Sequence, residues 1–393
     1  MDVRRLPASG EQIDGYPEDL LLLIARASEG IRERSLPHVL KPRRHAAGGV
    51  MAGDAGHIHW GQGDPGDLDN ILRGGPLYVS SLHSVDIPPG APVRGAHRHA
   101  GAAAIVALQG KGWERHGLNG EIYYEFEEGD ILTVPPYTNH QHGAVDPEAG
   151  AFMISASPIR VRTLMGLFIR EQHKLSEKPV FPEGTEPLYD EKGELKGWRV
   201  KKGVLGLEED FDIMLGSEPK SEEAFDGLVN AGAWEGEVKT TYDRYLKQRH
   251  DTSELLRTTP RGITWKETPW ELTRHGKIRV LLYPESRCAT KTGVVYFQEL
   301  SPTGRSGKHR HLSDEWLYVV KGRGYDVHEG EHWVWEEGDL ICVPPMVTHQ
   351  HFNDDPNEPA LLLSASSSLY ANLGVGGIEQ LEDAPEYREE GGA

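Results

Sequence analysis

Two stretches of this chain spell nearly the same string of histidines, glycines and prolines. The first runs Gly95-Ala96-His97-Arg98-His99, then Glu128-Gly129-Asp130, Val134-Pro135-Pro136 and His140-Gln141-His142. The second runs Gly307-Lys308-His309-Arg310-His311, then Glu337-Gly338-Asp339, Val343-Pro344-Pro345 and His349-Gln350-His351. From His97 to His309 the step is 212 residues, and from His140 to His349 it is 209, so one copy carries a three-residue insertion. The insertion falls between Gly110 and Asp130, where a hairpin turn is expected. Beyond the third histidine the register resumes, with Ser155-Ala156-Ser157 and Ser364-Ala365-Ser366 each starting fifteen residues on. Agreement held over that distance argues for a duplicated unit.

Side chains alternate faces along a strand, so His97 and His99 point to one side while Arg98 points to the other. His140 returns to the same interior after the Gly-Asp turn and the Val-Pro-Pro bend. Three neutral imidazoles suit iron, manganese, copper, zinc or nickel, and they leave coordination positions open. An open site is a catalytic arrangement. Arg98 and Arg310 are expected to face outward and pair with acidic residues.

The chain has 393 residues, long enough for two domains with connecting material. Residues 17–34 carry apolar side chains at one-face helical spacing, which predicts an N-terminal helix. Residues 46–66 are glycine-rich and read as loop, with His57 and His59 as loop residues. Short apolar runs between glycine and proline turns begin near Leu77 and return after Lys277, the cadence of an antiparallel barrel or sandwich. Between them lies a polar stretch with a helical stripe at Val238, Tyr242, Tyr245 and Leu246, which is expected to pack across the barrels or against a second subunit. Trp113, Tyr123, Trp316 and Tyr318 are expected to fill the barrels.

A formal net charge of -19 disfavours nucleic acid and anionic membranes as partners. Two cysteines, Cys288 and Cys342, make no disulfide framework, and no export signal or spanning segment is evident. A cytoplasmic protein is expected.

The order His-x-His, Glu-Gly-Asp, Pro-Pro and a further histidine resembles the cupin superfamily, and its duplication a bicupin. The resemblance implies a mainly β chain of two cupin barrels (double-stranded β-helix, jelly-roll) with an N-terminal helical segment and a partly helical linker. The expected divisions are 1–75, 76–160, 161–275 and 276–393. The usual first motif has a glutamate four residues after the second histidine. Glu315 fills that place in the second copy and Ala103 in the first. The ligand sets implied are therefore His97, His99 and His140 in one barrel, and His309, His311, Glu315 and His349 in the other.

The first copy, with Ala103, the Gly110-Lys111-Gly112 turn and the ending His140-Gln141-His142-Gly143, is similar to the ring-cleaving gentisate and salicylate dioxygenases. That similarity implies Fe(2+), dioxygen and a hydroxylated aromatic acid or related enolisable compound as small-molecule substrate. It places His142, and by the repeat His351, beside the metal as catalytic groups that move protons. Ile105 stands where that family has an arginine for the substrate carboxylate. Two other readings remain open at this level: Mn(2+) at the second barrel in an enzyme like oxalate decarboxylase or oxidase, and a non-catalytic small-molecule-binding bicupin. One or two ions per chain are implied, in a homo-oligomer.

Overall fold

In the computed structural model of this chain the described residues are 39–40, 42–44, 58–60, 81–87, 89–90, 93, 95–99, 101–117, 122–157, 170–172, 185–202, 210–215, 232–286, 293–369 and 377–389. The helix expected over 17–34, together with His57 and Cys288, lies outside them. The fold is two β-barrels, each made of two facing sheets. In barrel 1 a five-stranded sheet orders Gly262–Ile263, Ile131–Val134, Ala103–Gly110, Ala151–Ser157 and Ser81–Ile87. It faces a sheet whose barrel strands are His97–His99, His140–Ala144, Gly112–His116 and Ile122–Phe126. Barrel 2 repeats the plan: Leu340–Val343, Glu315–Lys321, Ala360–Ser367, Gly293–Leu300 and Gly276–Leu282 face Glu331–Glu336, Arg323–His328, His349–Asn353 and Lys308–His311.

Alternation along the strands separates three cores. Ala103, Ile105 and Ala107 point into barrel 1 with Val85, Val134 and Met153. Leu317 and Val319 point into barrel 2 with Trp335, Ile341 and Leu362. The residues between them, Ala104, Val106 and Leu108 in one strand and Trp316 and Tyr318 in the other, share a third core that joins the two barrels. Trp316 and Tyr318 are thus buried between the barrels and not inside one, contrary to expectation. Trp113 and Tyr123 do not fill barrel 1 either. They stack on its outer face at 6.1 Å, with the Arg115 guanidinium over both rings. Single-sequence alternation marks which residues share a face, but not which of two buried faces is the barrel interior.

The connection between the barrels holds strands as well as a helix. Arg170–Gln172, Thr185–Tyr189, Leu195–Val200 and Phe211–Leu215 extend the sheet of barrel 1 that carries His97–His99, and Thr241–Thr258 is helical. That helix starts at a reciprocal cap, Thr240 accepting from Asp243 N and Asp243 accepting from Thr240 N. Its stripe is not packed against a barrel: Val238, Tyr242, Tyr245 and Leu246 are exposed. Residues 58–60, expected as loop, form a short strand carrying His59 and paired with Pro42–Arg44. Three residues are too few for alternation to show in sequence.

Each barrel borrows an edge strand from the segment preceding the other. Val39–Leu40, ahead of barrel 1, pairs with Leu340–Val343 of barrel 2, and Gly262–Ile263, ahead of barrel 2, pairs with Ile131–Val134 of barrel 1. The outward arginines also find matching places. Arg310 Nε donates to Glu379 Oε2 at 2.6 Å across the ladder, and Arg98, buried, stands opposite Glu171.

Candidate metal centres

Two local devices bring the third histidine to the first two. In the Glu-Gly-Asp hairpin, Gly129 and Gly338 adopt positive φ (88° and 89°), the conformation that favours glycine. The following aspartate closes the turn, Asp130 Oδ2 accepting from Glu127 N at 3.0 Å and Asp339 Oδ2 from Glu336 N at 2.8 Å. After the prolines the chain turns again through Tyr137 and Met346, both at positive φ. Each of these residues donates its N–H at 2.8 Å to the carbonyl of the second histidine, Tyr137 to His99 and Met346 to His311. The bend is therefore tied to the ligand strand, and it delivers His140 opposite His97 and His349 opposite His309 in the ladders.

In barrel 1, His97, His99 and His140 each offer a ligand atom, and these atoms all lie within 4.8 Å of one another. The His140 Nδ1–H donates to the Thr138 carbonyl at 2.9 Å and the His99 Nδ1–H to that of Gly101 at 2.6 Å. A carbonyl only accepts, so Nδ1 carries the proton and the Nε2 lone pair is left for a metal. Burial pushes the His140 imidazole down to about 3, so it is neutral near pH 7, the form a metal requires.

Barrel 2 brings together His309, His311, Glu315 and His349 on the same distance criterion, all four buried. Glu315 Oε2 lies 3.3 Å from His311 Nε2 and 3.6 Å from His349 Nε2. Its other oxygen accepts from Tyr296 OH at 2.7 Å and from Ser364 Oγ. Oε1 is thus engaged and Oε2 is presented to the site. Burial opposes ionisation of Glu315, but His311 and His349 outweigh it and hold the carboxyl well below the usual range. Burial pushes His349 down to about 4 and His309 well down, while Glu315 overcomes burial and raises His311. His309 Nδ1 and His349 Nε2 are buried without a hydrogen-bond partner among the described residues. An orphaned His349 Nε2 3.6 Å from the Glu315 carboxylate fits a bound cation.

His142 and His351 do sit beside these sets. The His142 ring is 5.6 Å from that of His140, and the His351 ring 5.4 Å from that of His349. Each belongs to an array that the sequence reading passed over. In barrel 2, Asp326 Oδ2 accepts from His351 Nδ1 at 2.7 Å and His328 Nε2 at 3.2 Å, and Oδ1 accepts from Trp335 Nε1 at 2.7 Å. In barrel 1, Glu114 Oε1 accepts from His116 Nε2 at 3.1 Å, while Oε2 stands 3.9 Å from His142 Nδ1, beyond hydrogen bonding. Burial works against both carboxylates, yet the flanking histidines hold each below the ordinary carboxylate range. Glu114-Arg115-His116 and Asp326-Val327-His328 keep the 212-residue step, so the repeat itself carried the signal.

One histidine outside the repeat also joins barrel 2. His275, in the turn before Gly276–Leu282, puts its ring 4.3 Å from His309, and its Nε2 lies 3.4 Å from Tyr296 OH. Burial pushes it down to about 3.

Residues 83–156 and 296–366 each match the family model of the cupin domain. The chain therefore carries two cupin domains, and its resemblance to the bicupin superfamily rests on both. No curated protein sequence matches it. Among solved structures it is similar to oxalate decarboxylase from Bacillus subtilis, at 13% identity over 87% of this chain and 78% of that one, with a TM-score of 0.49. It is similar also to a salicylate 1,2-dioxygenase from Pseudaminobacter salicylatoxidans, at 14% identity over 77% and 75% of the two chains, with a TM-score of 0.46. Likeness at this level carries no metal or substrate to this chain. Among the described residues no helix is long and apolar enough to cross a membrane.

Proposed function

We propose that this chain is a non-haem Fe(2+)-dependent dioxygenase that oxidises, by ring cleavage, a hydroxylated aromatic acid or related enolisable compound. The carrying observation is the barrel 1 set. His97, His99 and His140 converge with no carboxylate among them, since Ala103 occupies the glutamate position. Three neutral donors would hold ferrous iron with positions left open for substrate oxygens and dioxygen. When bound, ferrous iron supplies the electron transfer that unites the two. The chain's own residues do the rest. Thr138 and Gly101 carbonyls fix the tautomers of His140 and His99, and Ala103, Ile105 and Val134 form a dry apolar wall. His142 stands at the set to hold a proton. In barrel 2 His351, its Nδ1–H committed to Asp326, can take one at Nε2, which has no partner among the described residues.

The test is oxygen uptake by the purified Fe(2+)-reconstituted protein with a panel of hydroxybenzoates, catechols and diketones. Uptake with at least one class, lost in His97→Ala, is expected. No uptake above the metal-free control across the panel overturns the proposal.

A second reading has one specific support, Glu315 among the barrel 2 histidines. It makes barrel 2 a manganese centre of the oxalate decarboxylase or oxidase kind. Metal analysis separates the two: Mn(2+) near one per chain and lost in His309→Ala favours this reading, and iron retained in His309→Ala favours the first. Two complete sets support two ions per chain. The exposed Tyr242 and Tyr245 of the linker helix support a homo-oligomer, and the absence of a disulfide framework supports a cytoplasmic setting.

A further inference from the structure

The two carboxylate–histidine arrays occupy the same place in the two barrels but are not equally complete. Asp326 uses both oxygens, and the Oδ1 partner is the Trp335 indole N–H. In barrel 1 the ring at that place is Phe126. It pairs with Gly112 as Trp335 pairs with Gly324, and a Cβ on either glycine would strike the ring at 2.6 or 2.7 Å. Phenylalanine has no N–H to give. Glu114 Oε2 and His142 Nδ1 are both buried, both without a hydrogen-bond partner among the described residues, and 3.9 Å apart. A buried carboxylate oxygen with nothing to accept is costly. A divalent cation between the two atoms removes that cost, and 3.9 Å is within the span of two ligand bonds of about 2.1 Å each.

A third donor is already there. Glu114, His140 and His142 offer one ligand atom apiece with all three within 4.8 Å, and all three residues are buried. We propose that barrel 1 has a second, more enclosed metal position, in which Glu114 Oε2, His142 Nδ1 and His140 Nε2 hold a divalent transition metal. Glu114, from a different strand, thereby supplies the carboxylate that Ala103 lacks. The donor set is two histidines and one carboxylate, the kind that suits Fe(2+) with open positions. Because His140 Nδ1 is committed to the Thr138 carbonyl, its single free nitrogen serves either this position or the three-histidine one. Barrel 1 therefore holds one ion at a time, in one of two places. Barrel 2 has no such choice, since Asp326 is fully engaged. The inference concerns metal binding alone and does not rest on the dioxygenase reading.

The experiment uses the full chain with barrel 2 disabled by His309→Ala and His311→Ala, titrated with Co(2+) and followed by visible d–d absorption and metal content. The starting protein should bind one ion. His97→Ala with His99→Ala should still bind one, with a changed spectrum, and adding Glu114→Gln should weaken that binding at least 100-fold. Loss of the ion with His97→Ala and His99→Ala alone, in a protein that still shows a cooperative melt, overturns the proposal. So does residual binding indifferent to Glu114→Gln. If the double variant does not fold, Glu114→Gln and Phe126→Trp in an otherwise unaltered barrel 1 decide the matter. Each should convert a two-component cobalt spectrum into one component, and a spectrum unchanged by both rejects the second position. Oxygen uptake does not enter, so failure here is distinct from failure of the proposed activity.

Discussion

Barrels 1 and 2 deliver their third histidine by the same hairpin and the same bend, yet the chemistry around it diverges wherever a carboxylate is concerned. Barrel 2 has Glu315 with Tyr296 and Ser364 donating to one oxygen, and Asp326 with Trp335 donating to another. Barrel 1 has Ala103 for Glu315, and at the ladder position of Tyr296 it has His83, opposite Ser155 as Tyr296 is opposite Ser364. It has Phe126 for Trp335. A buried carboxylate comes with its donors, and where the donors are replaced the carboxylate is either gone or left facing a cation-sized gap. The backbone frame was duplicated as a unit, while the electrostatic dressing was not.

The largest test of this comparison concerns the core that joins the barrels. At Trp316 the corresponding residue of barrel 1 is Ala104, so this shared core takes a large side chain from one copy and a small one from the matching place in the other. Trp316→Ala should cost about 3–5 kcal/mol in denaturant unfolding. A loss below about 1 kcal/mol breaks the view that this core binds the copies together.

Next, Ala103→Glu should make barrel 1 resemble barrel 2. Without metal the new buried charge has no counterpart of the Tyr296 donor, and stability should fall by about 1–3 kcal/mol. Mn(2+) should restore it, with affinity at barrel 1 raised about tenfold, measured in the barrel 2-disabled protein. Unchanged Mn(2+) affinity argues that position and not charge separates the sites.

Acid titration of the metal-free protein sharpens the contrast further. His140 has its pKa lowered by burial from 6.5 to about 3, so the unfolded chain binds the proton first and stability falls with pH from about 6.5 downward. For this one group the slope is about 1.4 kcal/mol per pH unit. In barrel 2 the lowered His275 and His349 act in the same sense, but His311 and His351 are raised and act oppositely. Their stabilisation is present in acid and is lost as pH rises through the folded value. His140→Ala should therefore flatten the stability slope between pH 6.5 and 5, and an unaltered slope refutes the assignment. The smallest effect is expected from Tyr296→Phe, which removes one donor to Glu315. Metal affinity at barrel 2 should fall about tenfold with barrel 1 untouched, by isothermal titration of single-site variants.

Much of this was legible in the sequence. The two barrels and the place of the insertion follow from the register of the repeat, whose histidines the fold brings close together in each barrel, whereas Glu315 came from the resemblance to the cupin motif. Five residues separate Gly112–His116 from Ile122–Phe126 where two separate Arg323–His328 from Glu331–Glu336, which accounts for the three extra. What escaped was whatever lacked a histidine string. Glu114 and Asp326 sit on strands that read as ordinary alternation, and only the closed barrel places them against His142 and His351. His275 is reached through a turn with no counterpart in the repeat. Trp316 and Tyr318 went astray because strands buried on both faces carry no polar side to mark the interior.

The borrowed edge strands set a condition on how the molecule is made. Leu40 waits for Leu340, 300 positions later, before its pairing exists, while Ile131 waits for Ile263. On the ribosome, barrel 1 cannot finish when its own last barrel strand, Ala151–Ser157, emerges. Barrel 1 is completed by the leader of barrel 2, and barrel 2 by a segment synthesised before either. Contacts this distant in sequence form slowly, because the chain between them must close first. A gene cut between the barrels should accordingly yield two fragments, each with an unprotected sheet edge, that are better behaved together than apart.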